Sequence, residues 1–326
     1  MNKTRMIFYI VITTLVLLST SFLLGCSTDN HTEPEIQVKF AANYEFVEGE
    51  EGLQALQDEY NFHFDEVYEM AIGLTHEALR EGDVDVAIGF ATDGKIEELN
   101  LINLEDDKNF FPVNYPAPVI REEVLKLYPK IAEIMSEISA RLDTDTMIHL
   151  HYLVDIEENK HNEVARYWLL EEELISETTQ KSANKKPVIV GSKKFTEHQL
   201  LGQIAILSLE NSGIPVEDHT NLGDTAVNRS ALMKKYIHMY WEDIATAWIN
   251  IFKEENRFIA DPEKLYQQIS IRDAGNDLVW LDYAPVNNSY SIMMRKEHAK
   301  ELEITTISEL AEWIKKVQAG NFPDKE

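Results

Sequence analysis

The chain has 326 residues, with 57 acidic against 30 basic side chains and a formal net charge of −27. Nucleic acids and anionic lipid surfaces would repel such a chain, so neither is an expected partner. Hydrophobic residues make up 44%, enough for a core without metal or disulfide, and the length after a signal suggests two lobes.

The first elements are targeting signals. Lys3 and Arg5 precede the apolar run MIFYIVITTLVLLSTSFLL, which closes on Leu23-Leu24-Gly25-Cys26 and a polar STDN. A basic start, an apolar middle and small residues at the cut describe a secretory signal. The Leu-x-Gly-Cys ending looks like a bacterial lipobox, so residues 1–25 read as a lipoprotein signal peptide and Cys26 as the lipidated residue. The alternative is a plain membrane anchor with an incidental cysteine. Cys26 is the only cysteine in the chain; it has no internal disulfide partner, and lipidation explains it. More than one acyl chain on that residue gives a stable anchor. Localisation at the extracytoplasmic face of the membrane is the expectation, with residues 26–35 as a tether.

IQVKFAANYEF follows and reads as a strand. A helix through Leu74–Arg80 is expected to stop at Gly82 in a C-cap position, followed by the strand VDVAIGF. Arg121 to Leu153 reads as a long helical stretch. In it Ile131, Ile134, Ile138 and Leu142 face a core, and Pro129 marks a break. A further helix is expected from about Glu163 to Ile175. SETTQKSANKKP is the clearest internal linker, closed by Pro187. Beyond it PVIVGS reads as a strand, and Thr196-Glu197-His198-Gln199 as a capping box. The stripe Leu200, Leu201, Ile204 and Leu207 continues that helix to Gly213. Thr306-Ile307-Ser308-Glu309 is a second capping box, opening the helix that carries Trp313. Alternation of strands and helices gives an α/β class with mostly parallel sheets.

Catalytic and metal signatures are weak. His149 and His151, with His161 nearby, stand at a spacing that puts the first two on different helix faces, so no metal site is expected from them. There is no nucleophile–base pair, no phosphate-cradling glycine loop and no other cofactor motif, which argues against an enzyme. Glu171-Glu172-Glu173 and Glu48-Gly49-Glu50-Glu51 read as solvated faces.

Several segments together resemble the substrate-binding proteins of ABC importers for glycine betaine, choline and related osmoprotectants. GSKKFTEHQLLGQ is similar to that family's opening strand and helix. NLGDTAVNRSALMKKYIHMYWEDIATAW resembles the segment ending in its Glu-Tyr-Thr-Gly-Thr motif, and APVNNSYSIMMRKE its first interlobe crossing. YEMAIGLTHEALREGDVDVAIGFATDGKI and INLEDDKNFFPVNYPAPVIREEVL resemble its second lobe and return crossing. The order is reversed: the family's late half occupies residues 36–176 and its early half residues 187–326, joined by the linker 177–186. The resemblance implies a two-lobed periplasmic-binding-protein-like fold of type II, circularly permuted. The alternative is a rearranged copy with altered ligand.

What the resemblance implies for the site is carried over position by position. Lys193 and Thr246 are candidates for a carboxylate or hydroxyl end, Tyr290 and Asn288 for the crossing strand, and Phe90 for an aromatic wall. Tyr240 and Trp241, with Trp248, are as much core candidates as cage candidates. Three positions depart from the pattern. Asp243 stands where a tyrosine is expected, Asn114 (with Tyr115 beside it) replaces another, and Gly49 falls where an arginine would help hold a carboxylate. These departures shift the expected solute from betaines toward choline-like or polyamine-like cations. The expected partners are a quaternary-ammonium solute and an ABC permease with its ATPase. A sensor or scavenging module of the same fold is the alternative.

Overall fold

A computed structural model describes residues 37–49, 52–178, 186–254 and 261–320. The signal peptide, Cys26, the tether and most of the linker lie outside the described residues. Among those described, no helix is long and apolar enough to cross a membrane.

Among the described residues, ten strands form two five-stranded sheets, with the order β2-β1-β3-β10-β4 in one and β7-β6-β8-β5-β9 in the other. The first holds β1 (Lys39–Ala42), β2 (Glu66–Glu69), β3 (Val86–Phe90), β4 (Leu101–Asn103) and β10 (Tyr290–Arg295). The second holds β5 (Pro116–Arg121), β6 (Val188–Lys193), β7 (Val216–Gly223), β8 (Met239–Asp243) and β9 (Leu278–Trp280). Each sheet defines one lobe, and each half of the chain gives one strand to the other half's sheet. That guest strand, β10 or β5, runs antiparallel to both neighbours. The sheets are therefore mixed, not simply parallel as periodicity suggests, because a chain that crosses between lobes re-enters from the opposite end.

Both faces of each sheet are covered, and alternate residues feed different cores. Phe40, Val86, Ile88 and Ile292 pack on one side of the β1 sheet, and Ala41, Ala87 and Met293 on the other. In the β6 sheet Val190, Met239 and Trp241 share one core with Ile131, Ile138 and Leu201. Val119, Tyr240 and Trp280 lie in the opposite one. The lobes also touch directly: Ile148, from the helix Thr144–His151, packs into the cluster of Leu79, Ala87 and Met293.

Gly82 ends the helix Ile72–Glu81 with a left-handed φ of 80°, as a C-cap glycine does. Thr306 and Glu309 form a reciprocal capping box on the helix Ile307–Gln318. The other box differs from expectation. Phe195 is the extended N-cap residue, so Thr196 is already helical; its hydroxyl donates to Asp155 (2.9 Å) and Gln199 donates to the Lys194 carbonyl (2.8 Å). IQVKFAANYEF also divides: strand pairing stops at Ala42, and Tyr44–Glu48 turns into a short helix. The stretch from Arg121 to Leu153 is three helices. Pro129 begins the second, and Asp143 caps the third by accepting from the Thr146 amide (2.8 Å).

The described ends of the two halves meet in pairs. The Val38 amide and the Gln318 side chain both donate to the Asp65 carboxylate, at 2.7 and 2.8 Å. At the other junction, Ser176 and Asn211 exchange hydrogen bonds while the Val188 amide donates to the Pro215 carbonyl (2.8 Å).

Candidate functional site

The segments that cross between lobes, 104–115 and 281–289, meet at Asn114. Its backbone amide donates to the Asn287 side chain (2.9 Å), and its own side-chain oxygen accepts from the Thr246 amide (3.2 Å). Asn114 is thus a clasp between the two crossings and the end of β8. Beside it opens a cavity of about 1080 Å³. β3, β6 and β8 all end on this cavity, at Phe90, Lys193 and Asp243. Carboxyl ends of parallel strands are where open α/β sheets hold ligands. Two π-helical turns, Tyr152–Ile156 and Ala247–Ile251, also contribute cavity residues: Asp155 from the first, Asn250 and Ile251 from the second. Such turns recur at functional sites because they re-aim side chains.

The cavity floor is ionic. Lys193 is buried, donates to Asp243 at 2.7 Å and is in contact with Glu242. Glu242 is buried as well, and accepts from the Tyr240 hydroxyl (3.0 Å) and the Asp243 amide (3.0 Å). Burial opposes the Lys193 ammonium, but Asp243 and Glu242 outweigh it and hold its pKa above the ordinary lysine value. Burial would likewise raise Asp243, yet His198 and Lys193 beside it keep that carboxyl below the usual aspartate range. Glu197, in the first turn of the helix after β6, is pushed up by burial. Arg229 projects from the helix Thr225–Met233 and is held by both oxygens of buried Asp273. Lys253, at the edge of the described residues, also lines the cavity.

Of the residues singled out in the sequence, Lys193, Asp243, Thr246, Asn288, Asn114 and Phe90 line this cavity together. Phe90 keeps 43% of its surface exposed and stacks on Tyr290 (5.2 Å, 9° between planes). Tyr290 therefore supports Phe90 from behind, with its hydroxyl accepting from Asn43 (3.1 Å). Tyr115 stacks on Tyr283, away from the cavity. Tyr240 and Trp241 are core residues: β8 is the middle strand of its sheet, so both of its faces are covered and neither ring reaches the cavity. Trp248 lies under the Arg272 guanidinium (4.4 Å).

Glu197, His198 and His151 were not singled out as ligand contacts, yet all three line the cavity. A signal was present for the first two: they open the helix that directly follows the carboxyl end of β6. His149 and His151 do part as their spacing predicts, His149 pairing with Glu97 (3.0 Å) on the surface while His151 turns inward.

The family model described as the substrate binding domain of ABC-type glycine betaine transport systems matches residues 28–171 and 186–321. The chain belongs to this family. As a glycine betaine-type substrate-binding domain it is 36% identical to an ergothioneine transport permease/ergothioneine binding protein of Helicobacter pylori over 131 residues, 40% of this chain and 24% of that one. It is 35% identical to a glycine-betaine-binding protein of Pseudomonas aeruginosa over 147 residues, 44% of this chain and 47% of the relative. The chain thus spans between a quarter and a half of the length of these curated relatives. A solved glycine betaine/carnitine/choline ABC transporter structure is 27% identical over 42% of this chain and 50% of that one, with a TM-score of 0.38.

Proposed function

We propose that this substrate-binding domain captures a small organic cation without a carboxylate, of choline type, between its lobes and delivers it to an ABC permease. The observation that carries this reading is the engagement of Lys193. A lysine at the floor would suit the carboxylate of a betaine, but Asp243 and Glu242 already occupy it. Arg229 is likewise taken up by Asp273. The walls instead offer carboxylates at Asp93, Asp155 and Asp224 and the faces of Phe90 and Phe195. A quaternary ammonium has no N–H to donate, so aromatic faces and diffuse negative charge are what recognise it. Tryptophan-fluorescence titration of the full chain with choline is expected to saturate. Phe90→Ala is expected to weaken that binding by about tenfold, the loss of one desolvated cation–π contact. An unchanged affinity in that variant contradicts the placement.

The same reading makes the chain a circularly permuted member of its family, tethered by a lipid on Cys26 at the extracytoplasmic face. Two observations support permutation: the meeting of both described chain ends at Asp65, and a family match that breaks at 172–185. Permutation is tolerated where ends lie close together. A chain reopened within 177–186, with residue 320 joined to 37, is expected to fold and bind choline unchanged. Failure of that chain to fold contradicts the permutation.

A further inference from the structure

We propose that the cavity floor is a binding site for one divalent transition-metal ion of zinc type, ligated by Glu197, His198 and Asp243 with His151 as the fourth donor. One ligand atom from each of the first three residues lies within 4.8 Å of the others. Their side chains come from separate elements, the start of the helix Thr196–Asn211 and the end of β8, and His151 joins them from the helix Thr144–His151. Its Nε2 stands 3.9 Å from Glu197 Oε2.

All four residues are almost fully buried, with relative exposures of 2% for Glu197, 3% for His198, 4% for Asp243 and 7% for His151. Even so, both Glu197 oxygens, His198 Nδ1, His151 Nε2 and Asp243 Oδ1 have no hydrogen-bond partner, and His198 Nε2 has only Asp243 Oδ2, 3.1 Å away. Native proteins rarely bury so many unsatisfied polar atoms in one place without an ion, a ligand or water to take them up. Asp243 shows the division most clearly. Its Oδ2 serves Lys193 and stands 3.1 Å from His198 Nε2, while its buried Oδ1 has no partner.

Charge points the same way. Glu242 and Asp243 share the Lys193 ammonium, whereas the buried Glu197 carboxyl has no lysine or arginine paired with it among the described residues and faces the His151 imidazole at 3.9 Å. A bound cation would give that carboxylate a counter-charge. Two imidazoles and two carboxylates form a donor set for zinc and its first-row neighbours, whereas calcium and magnesium take oxygen ligands. Tetrahedral donors bound at about 2.0–2.2 Å stand about 3.3–3.6 Å apart, so a pair at the 4.8 Å limit needs to close by about 1.2 Å. This inference does not rest on the choline-type solute, which has Phe90 and the opposite wall to contact.

Zinc titrated into the full chain against a chromophoric chelator tests the site. One equivalent is expected to compete and to raise the melting temperature. His198→Ala and Glu197→Gln, shown to be folded by circular dichroism, are each expected to lose at least tenfold in zinc affinity, with no zinc-induced rise in melting temperature. His149→Ala, on the surface beside Glu97, is expected to bind like the unaltered chain. No competition above the chelator blank overturns the proposal, and so does zinc binding that survives both cavity substitutions or disappears in His149→Ala. Should neither cavity variant fold, X-ray absorption of the zinc-loaded unaltered chain decides. A first shell containing two imidazoles is expected, and one without any overturns the site. Choline titrations run with and without a chelator keep the two readings separate.

Discussion

Replacing Lys193 with methionine is expected to cost the fold about 3–5 kcal/mol, read as a lower midpoint in urea at neutral pH. The substitution keeps the bulk and removes the charge. Glu242 and Asp243 are neighbours at the end of β8, both inaccessible to solvent, and Lys193 touches both. Without it, two adjacent buried carboxylates lose their shared ammonium, and the His198 imidazole, 3.1 Å from Asp243, is left to offset them. The penalty of an uncompensated buried charge exceeds the modest net value of the ion pair itself. A double variant, Lys193→Met with Asp243→Asn, removes one of the two charges and is expected to recover part of the loss. A single variant within about 1 kcal/mol of the parent would mean that Lys193 does not neutralise this pair.

Asp273→Ala is expected to cost about as much, 3–5 kcal/mol, for a different reason. Asp273 is wholly buried in the helix Pro262–Ala274 and takes four donors: both terminal nitrogens of Arg229, the Trp280 indole N–H (2.8 Å) and the Asn276 amide (3.0 Å). Alanine strands a guanidinium that is largely buried and orphans the indole N–H in the core shared with Val119 and Tyr240. Asp273→Asn keeps one acceptor for Trp280 but not the charge that balances Arg229, so its loss is expected to be intermediate. Arg229 lines the cavity, so this pair also fixes the wall beside Asp224. Equal stability of both variants with the parent would remove that role.

The two effects show which parts of the molecule were legible in the sequence. Helices announced themselves where apolar spacing and a stop signal agreed, as at Ile131, Ile134 and Ile138, or at Leu79 ahead of Gly82. Lys193, Asp243 and Asn114 were legible through position: residues that end a strand or sit in a crossing segment have few places to go other than the crevice. What the sequence did not disclose was pairing. Nothing local states that Lys193 will be neutralised by residues fifty positions away, or that Tyr240 and Trp241 will be buried on opposite faces of a central strand. Both outcomes follow from the sheet order β7-β6-β8-β5-β9, which brings β8 beside β6 and covers it on both sides. The Thr196 box failed for a related reason. Phe195 took the cap position, and Asp155, from a separate turn, took the Thr196 hydroxyl.

The antiparallel guest strands were also beyond periodicity, since alternation reports burial and not direction. They have a functional consequence. β10 and β5 are the first strands that the chain enters after each crossing, so Asn114 and Asn288 sit where the lobes join and where a bound solute would touch both.

The central claim is that the cavity takes a cation, because among the described residues Lys193 at its floor and Arg229 in its wall are already paired with carboxylates. Parallel equilibrium titrations of the full chain with choline and with glycine betaine test it most directly. The two solutes share a trimethylammonium group and differ at the other end, a hydroxyl against a carboxylate. Choline is expected to bind at least tenfold more tightly; glycine betaine binding more tightly than choline would contradict the account.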